Sequence, residues 1–146
     1  MRLTDFTDYT LRTLIYLALQ PERLVTIADI AKAFGISANH LMKVVHQLAV
    51  SGDVATVRGR RGGLRLARPP STINIGAVVR RTEPDMAIVA CFAAPARCVI
   101  NDACVLQHAL ADALKAFLSV LDGYTLADLV APRRALADLL SLPHSV

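Results

Sequence analysis

The sequence predicts a mainly α-helical protein: a winged helix-turn-helix with a short β-hairpin wing and a long C-terminal dimerisation helix. Three observations carry that expectation. Two short amphipathic patterns meet at Gly35, an arginine- and glycine-rich tip stands between two short β-favourable runs, and apolar residues then recur in steps of four and three over one long segment. At 146 residues, 54% of them apolar and 19% charged, the chain has the size of one domain and enough apolar surface to bury a core. A multi-domain enzyme is excluded.

From about Tyr9 to Leu19, Leu11, Leu14, Ile15 and Ala18 fall at helical spacing, and Pro21 closes the segment. Thr26 opens a second helix. Its hydroxyl caps the chain together with Asp29, the apolar face is Ile27, Ile30, Ala31 and Phe34, and Gly35 supplies a left-handed stop. Ser37 is the expected N-cap of a third helix, whose stripe of Leu41, Val44, Val45 and Leu48 faces the core until Gly52 ends it. That stripe leaves Asn39, His40, Lys43, His46 and Gln47 pointing outward, with donors and acceptors suited to phosphates and base edges. This is the expected recognition helix.

The runs from Val54 to Val57 and from Leu64 to Ala67 flank Arg58, Gly59, Arg60, Arg61, Gly62 and Gly63. Five arginines lie between Arg58 and Arg68, and the glycines permit close backbone approach, as expected of a wing tip that enters a minor groove or straddles phosphates. A glycine-rich nucleotide loop does not fit, since no Gly-Lys-Ser/Thr ends the tip and no helix opens directly after it. Beyond Pro69 and Pro70, Asn74 caps a short helix through Arg81, packed by Ile75, Val78 and Val79 and stopped before Pro84.

From Asp85 to Asn101 no period is sustained, which predicts a functional or disordered loop. It carries Cys91 and Cys98, and Cys104 follows at the start of the next helix, near a cap at Asn101 or Asp102 where the dipole favours a thiolate. Six residues separate the first two cysteines and five the last two. Neither a membrane-length apolar run nor a basic-then-apolar leader pattern is present, so a cytoplasmic location is expected. Three cysteines cannot all pair within one chain, and in that reducing compartment metal binding or reversible thiol oxidation becomes their expected chemistry.

Leu106, Leu110, Ala113, Phe117 and Val120 or Leu121 then mark a long helix ended by Gly123. Their spacing is the seam of a two-helix pairing and predicts a homodimer, whose two-fold axis suits a palindromic operator. Thr125 and Asp128 form a second capping pair before a short amphipathic helix and an Arg/Leu-rich tail to which no function attaches. The chain thus divides into a DNA-binding region over 1–83, a cysteine segment over 84–104, and a dimerisation helix with its arm over 105–146.

Charge supports this division. Through Arg81 there are twelve Lys/Arg against five Asp/Glu, a balance of +7, while the remainder holds four against seven, a balance of −3. A basic first half joined to a mildly acidic second half points to a reader of double-stranded DNA fused to a part that senses or assembles.

The helix-turn-helix, the wing tip from Arg58 to Leu64, the Cys91, Cys98 and Cys104 segment and the long helix after it together resemble the Rrf2 family of bacterial iron–sulphur repressors, within it the nitric-oxide-sensing branch. The resemblance covers nearly the whole chain. It implies a homodimer in which the three cysteines hold an iron–sulphur cluster, 4Fe-4S with 2Fe-2S as the alternative, and in which nitric oxide relieves repression. Clusters ordinarily take four thiolates, so one ligand must come from elsewhere. Asp8 matches the aspartate that this branch places in its first helix and supplies from the opposite subunit. It also stands four residues before Arg12, the spacing of an ordinary helix ion pair, and the two roles are compatible, since Arg12 can orient the ligating carboxylate. His108 is the other candidate, but the family's histidine ligand falls three residues after the last cysteine, where this chain has Gln107. One residue rotates a helical side chain by about 100°, which argues against His108 and the two-iron branch. Sensing of oxygen, redox state or iron status, and a metal-free thiol switch, are the alternatives; neither a nucleophile-and-base constellation nor a nucleotide motif points to an enzyme.

Overall fold

A computed structural model of the chain describes residues 2–94 and 98–143. Helix α1 (Asp5–Leu19) starts about four residues before its apolar periodicity begins, because polar groups set its start. Thr4 Oγ1 accepts from the Thr7 amide at 3.3 Å, and Asp5 and Asp8 occupy the first turn, where the helix dipole favours carboxylates. Helix α2 (Ile27–Phe34) has the expected reciprocal cap: the Asp29 amide donates to Thr26 Oγ1 at 3.1 Å and the Thr26 amide to Asp29 Oδ2 at 2.9 Å. The Thr26 amide, aided by its hydroxyl and Arg23, holds the Asp29 carboxyl below its usual range. Gly35, at φ 64°, turns the chain from α2 toward α3 (Ala38–Val50) as only glycine does cheaply. Ser37 stands at the N-cap of α3 in extended backbone, but its hydroxyl makes no capping bond.

Strands β1 (Val54–Val57) and β2 (Gly63–Leu66) pair antiparallel with Val54 opposite Leu66 and Val57 opposite Gly63. The second strand lies one residue earlier than its hydrophobic run, because Leu64 also exchanges bonds of 2.9 and 2.7 Å with Val25 and anchors the hairpin to the turn before α2. Helix α4 (Ile75–Thr82) follows a 3-10 turn at Pro70–Thr72, and Asn74 Oδ1 caps it by accepting from the Ala77 amide at 2.9 Å. Among the described residues, the segment expected to lack regular structure holds a helical turn, α5 (Ala90–Ala93), and a 3-10 turn starting at its end, Asn101–Ala103. Alanine's helix propensity explains why a turn forms without a periodic apolar face.

Helix α6 (Val105–Asp122), α7 (Leu126–Leu129) and α8 (Arg133–Leu139) complete the chain. The core is built from α1, α2, α3 and the approach to α4, with Leu14, Leu17, Ile30, Leu41, Leu48 and Ile73 fully buried. The C-terminal arm enters that same core through Leu126, Val130, Ala137 and Leu142. Arg133 adds a polar lock, donating to the Ala18 and Leu19 carbonyls at 3.1 and 3.0 Å where α1 leaves its last acceptors unpaired. The arm to which the sequence attached no function therefore closes the C-terminal end of α1.

Helix α6 is different. None of its 18 residues is buried, and Val105, Leu106 and Val120 are 79%, 64% and 63% exposed. Its C-terminal end is fastened to α4: Asn74 Nδ2 donates to the Asp122 carbonyl at 2.7 Å, and Arg80 Nη2 to Asp122 Oδ2 at 2.7 Å. Among the described residues no helix is long and apolar enough to cross a membrane.

Candidate nucleic-acid interface and cysteine segment

The buried stripe of α3 orients the rest of the helix. Leu41, Val44, Val45 and Leu48 face the core, which leaves Asn39, His40, Lys43 and His46 exposed, while Gln47 is half-buried at the edge of that face. Ser37 is exposed at the helix entrance, where its amide and hydroxyl are open to a phosphate. His40 is not a freely solvated side chain, since its ring stacks with Tyr9 of α1 at 6.0 Å between centroids and 30° between planes. The sequence reading overlooked Met42, 52% exposed on the same outward surface. The spacing that buries Leu41, Val44 and Val45 already places Met42 opposite them, so the signal was present, hidden by the assumption that an apolar residue belongs inside.

The wing projects Arg58, Arg60 and Arg61 into solvent, and among the described residues these three make no ion pair. Gly62 makes their turn possible: a Cβ there would lie 2.1 Å from the Val57 carbonyl oxygen, so any side chain would push the tip open. Gly63 is the first residue of β2. Arg68 has another task, because Asp53 Oδ1 accepts from its Nε at 2.9 Å. Four of the five arginines thus sort into a tip of three without ion pairs among the described residues and a base held by a buried carboxylate, while Arg65 is exposed on β2.

The three cysteines are free thiols, each half-buried. Cys91 lies on α5 and Cys104 is itself the N-cap of α6, in place of the Asn101 or Asp102 cap that the sequence suggested. Cys98 stands just beyond 95–97, which lie outside the described residues. Cys91 also lines a cleft of about 720 Å³ between its segment and α6, together with Phe92, Gln107, His108 and Leu114. Asp8 is on α1 and pairs with Arg12 at 2.9 Å, both side chains being a little over two-fifths exposed. Arg12 in turn lies 5.7 Å over the Phe34 ring of α2. Among the described residues no three His, Cys, Asp or Glu side chains converge within one chain. In chemistry the donors nevertheless suit an iron–sulphur cluster: three half-buried thiols outside any disulfide, one of them at the N-terminus of a long helix.

Comparison with known proteins decides the family. Residues 3–132 match the family model Rrf2, described as iron-dependent transcriptional regulator. The chain belongs to the Rrf2 family. It is 52% identical over 142 residues to the HTH-type transcriptional regulator NsrR of Geobacillus kaustophilus, covering 96% of this chain and 97% of that one. With NsrR of Bacillus subtilis it shares 51% over 144 residues, covering 97% and 99%. Among solved structures, CymR, the global cysteine regulator of B. subtilis, superposes with a TM-score of 0.73 at 27% identity over 90% of this chain and 97% of that one. This Rrf2 chain is accordingly a DNA-binding transcriptional regulator with the winged-helix fold of its family.

Proposed function

We propose that the protein is a homodimeric transcriptional repressor that senses nitric oxide through an iron–sulphur cluster of the 4Fe-4S type, the reaction lowering its affinity for a palindromic operator. Supporting this reading is one observation above the rest: three unpaired, half-buried cysteines in an Rrf2 chain about half identical to NsrR along nearly its whole length. Cys91, Cys98 and Cys104 supply thiolates, and Asp8 of the partner subunit completes the set. When bound, such a cluster supplies an iron that takes up a small diatomic most readily where its protein ligand is a hard, weakly held carboxylate.

Supporting the pairing of two chains is α6, whose apolar residues Val105, Leu106 and Val120 are exposed. Asn39, His40, Met42, Lys43 and Gln47 read base edges, Ser37 and the glycine-supported arginines Arg58, Arg60 and Arg61 contact backbone and minor groove, and Gly62 and Gly63 let the wing approach closely. The region over 1–83 reads DNA, the segment over 84–104 holds the sensing group, and α6 joins the copies.

Asp8 has neighbours that could convey its state. Tyr9, the next residue, stacks on His40 in the first turn of α3, and Arg12, ion-paired to Asp8, lies over Phe34 in the last turn of α2. A carboxylate released from the cluster would return wholly to Arg12, as in the ion pair seen in the single chain, and would alter the packing of both helices that position the recognition surface.

The first experiment is an anaerobic absorption spectrum with iron and sulphide counted per chain. A broad cluster band with close to four of each supports the proposal. Colourless, iron-free protein from an iron-replete anaerobic preparation refutes it and favours a thiol switch, the second reading, for which the three cysteines outside any disulfide are the candidates. Reversal of lost DNA binding by reductant alone then tests that switch.

A further inference from the structure

The last turn of α4 and its C-cap join three parts of the molecule through four consecutive residues. Arg80 pairs with Asp122 at the end of α6, and Arg81 donates to Asp53 between α3 and the wing. The Thr82 hydroxyl accepts from Thr7 of α1 at 2.9 Å, and Glu83 Oε1 accepts from both the amide and the hydroxyl of Thr4, the α1 cap, at 2.9 and 3.0 Å. Residue 84 then opens the cysteine segment.

Asp53 is the unusual member. Its side chain is fully buried in the most basic part of the chain, and its bonds reach the end of α3, the end of the wing and α4. Oδ1 accepts from Arg68 Nε at 2.9 Å and lies 2.8 Å from Arg68 Nη2, at the end of the wing. Oδ2 accepts from Ser51 Oγ at 3.0 Å, at the end of the recognition helix, and from Arg81. The backbone repeats the pattern, the Asp53 amide donating to Leu48 of α3 at 3.0 Å and its carbonyl accepting from Ala67 at 2.9 Å. A buried ion pair is a poor source of stability, because desolvation offsets its attraction; what it does fix is geometry. One carboxylate with its lone pairs divided among α3, the wing and α4 sets the angle between the two DNA-facing elements and ties it to the turn from which the cysteine segment departs.

We propose that Asp53 and Arg81 are positioning residues for DNA recognition: they hold the wing at its working angle to the recognition helix, and Arg81 links that angle to the α4 turn. The inference rests on the reading of the wing as a DNA contact, and its test separates the two.

Operator affinity is measured for the full-length chain, Asp53→Asn and Arg81→Gln, each alone and combined with the tip substitutions Arg60→Ala and Arg61→Ala. Arg81→Gln leaves Asp53 bonded to Arg68 and Ser51, so it serves if Asp53→Asn does not fold. We expect either substitution to weaken operator binding about ten-fold with the tip intact and less than about two-fold once the tip arginines are gone, because coupled groups are non-additive. A purely structural defect would weaken both backgrounds alike. Equal losses in both, or no loss while the tip substitutions themselves weaken binding, overturns the positioning role and leaves the wing reading intact. Full affinity after removal of the tip arginines overturns the wing reading and this inference with it.

Discussion

The tip of the wing makes a quantitative prediction about salt. Arg58, Arg60 and Arg61 are exposed and unpaired among the described residues, so each is available to neutralise one phosphate. Each neutralised phosphate contributes a slope of about 0.9 in log affinity against log salt. Replacing all three by alanine removes about 2.7 from the slope per wing, or about 5.4 for a dimer using both wings. From 50 to 200 mM salt, the wild-type affinity should therefore fall about forty-fold further per wing than that of the variant. Fluorescence anisotropy with a labelled operator and a scrambled duplex over that range supplies both slopes. Arg134→Ala, an exposed arginine on the C-terminal arm, is the matched control and should leave the slope unchanged. The loss should be alike for operator and scrambled DNA, because phosphate contacts carry no sequence information directly. An unchanged slope in the triple variant, or an equal loss from Arg134→Ala, would refute the assignment of the tip to the DNA backbone.

Gly62→Ala places a methyl 2.1 Å from the Val57 carbonyl oxygen, so the tip must open; operator affinity should fall while the melting temperature moves little, checked by anisotropy and calorimetry on one sample. Thr26→Ala removes the α2 cap and should cost about 1 kcal/mol at neutral pH. Asp29, held below its usual pKa by the same cap, stabilises the fold above the unfolded carboxyl value near 3.9 and loses that contribution as pH falls through its lower folded value, so the deficit of Asp29→Asn should shrink in melts below about pH 4. Thr13→Val should stabilise, because the buried Thr13 hydroxyl finds no partner among the described residues and an isosteric apolar group removes its desolvation penalty of about 1–3 kcal/mol. Leu106→Glu with Val120→Glu, both on the exposed surface of α6, should shift sedimentation from dimer to monomer without unfolding the chain, since neither residue is buried.

Local chemistry made much of the fold legible. The Thr26 and Asn74 caps, the Gly35 turn, the buried stripe of α3 and the wing flanking an Arg-Gly tip are each decided by residues within a few positions of one another, and the structure places them where the sequence predicts. What failed depended on distant partners. The early start of α1 rests on the local Thr4 cap and on bonds of Thr4 and Thr7 to Glu83 and Thr82, more than seventy residues on, and a polar first turn read in isolation gives no apolar period. Arg133 reads as an arginine in a tail until the open carbonyls of α1 are placed beside it. Asp53 had a faint signal, a single carboxylate between a helix end and a run of arginines, but its burial and its two guanidinium partners are tertiary facts. Cys91, Cys98 and Cys104 were legible as candidate ligands from their number and spacing, whereas Asp8 was named by the family resemblance alone, and the proposed cluster calls for a second chain to supply it.

The placement of the core constrains how any signal can reach DNA. Because Leu126, Val130, Ala137 and Leu142 of the arm are packed with Leu14, Leu17 and Leu41 of the reading head, the two ends of the chain form one packed body and cannot swing as separate domains. Well-packed interiors resist continuous deformation, so a change in the cysteine segment must act through elements held by few, specific bonds. With the cluster held as proposed, two such routes are available. One runs through Asp8 to the Tyr9–His40 stack and the Arg12 contact with Phe34, and the other through the α4 turn to Asp53. They end at different places, the entrance of the recognition helix and the base of the wing. Loss of the first should therefore alter base discrimination, whereas loss of the second should alter the salt-dependent contribution of the wing. Paired measurements of specificity ratio and salt slope on Tyr9→Ala and Arg81→Gln separate them, and identical changes in both quantities would show that the two routes are one.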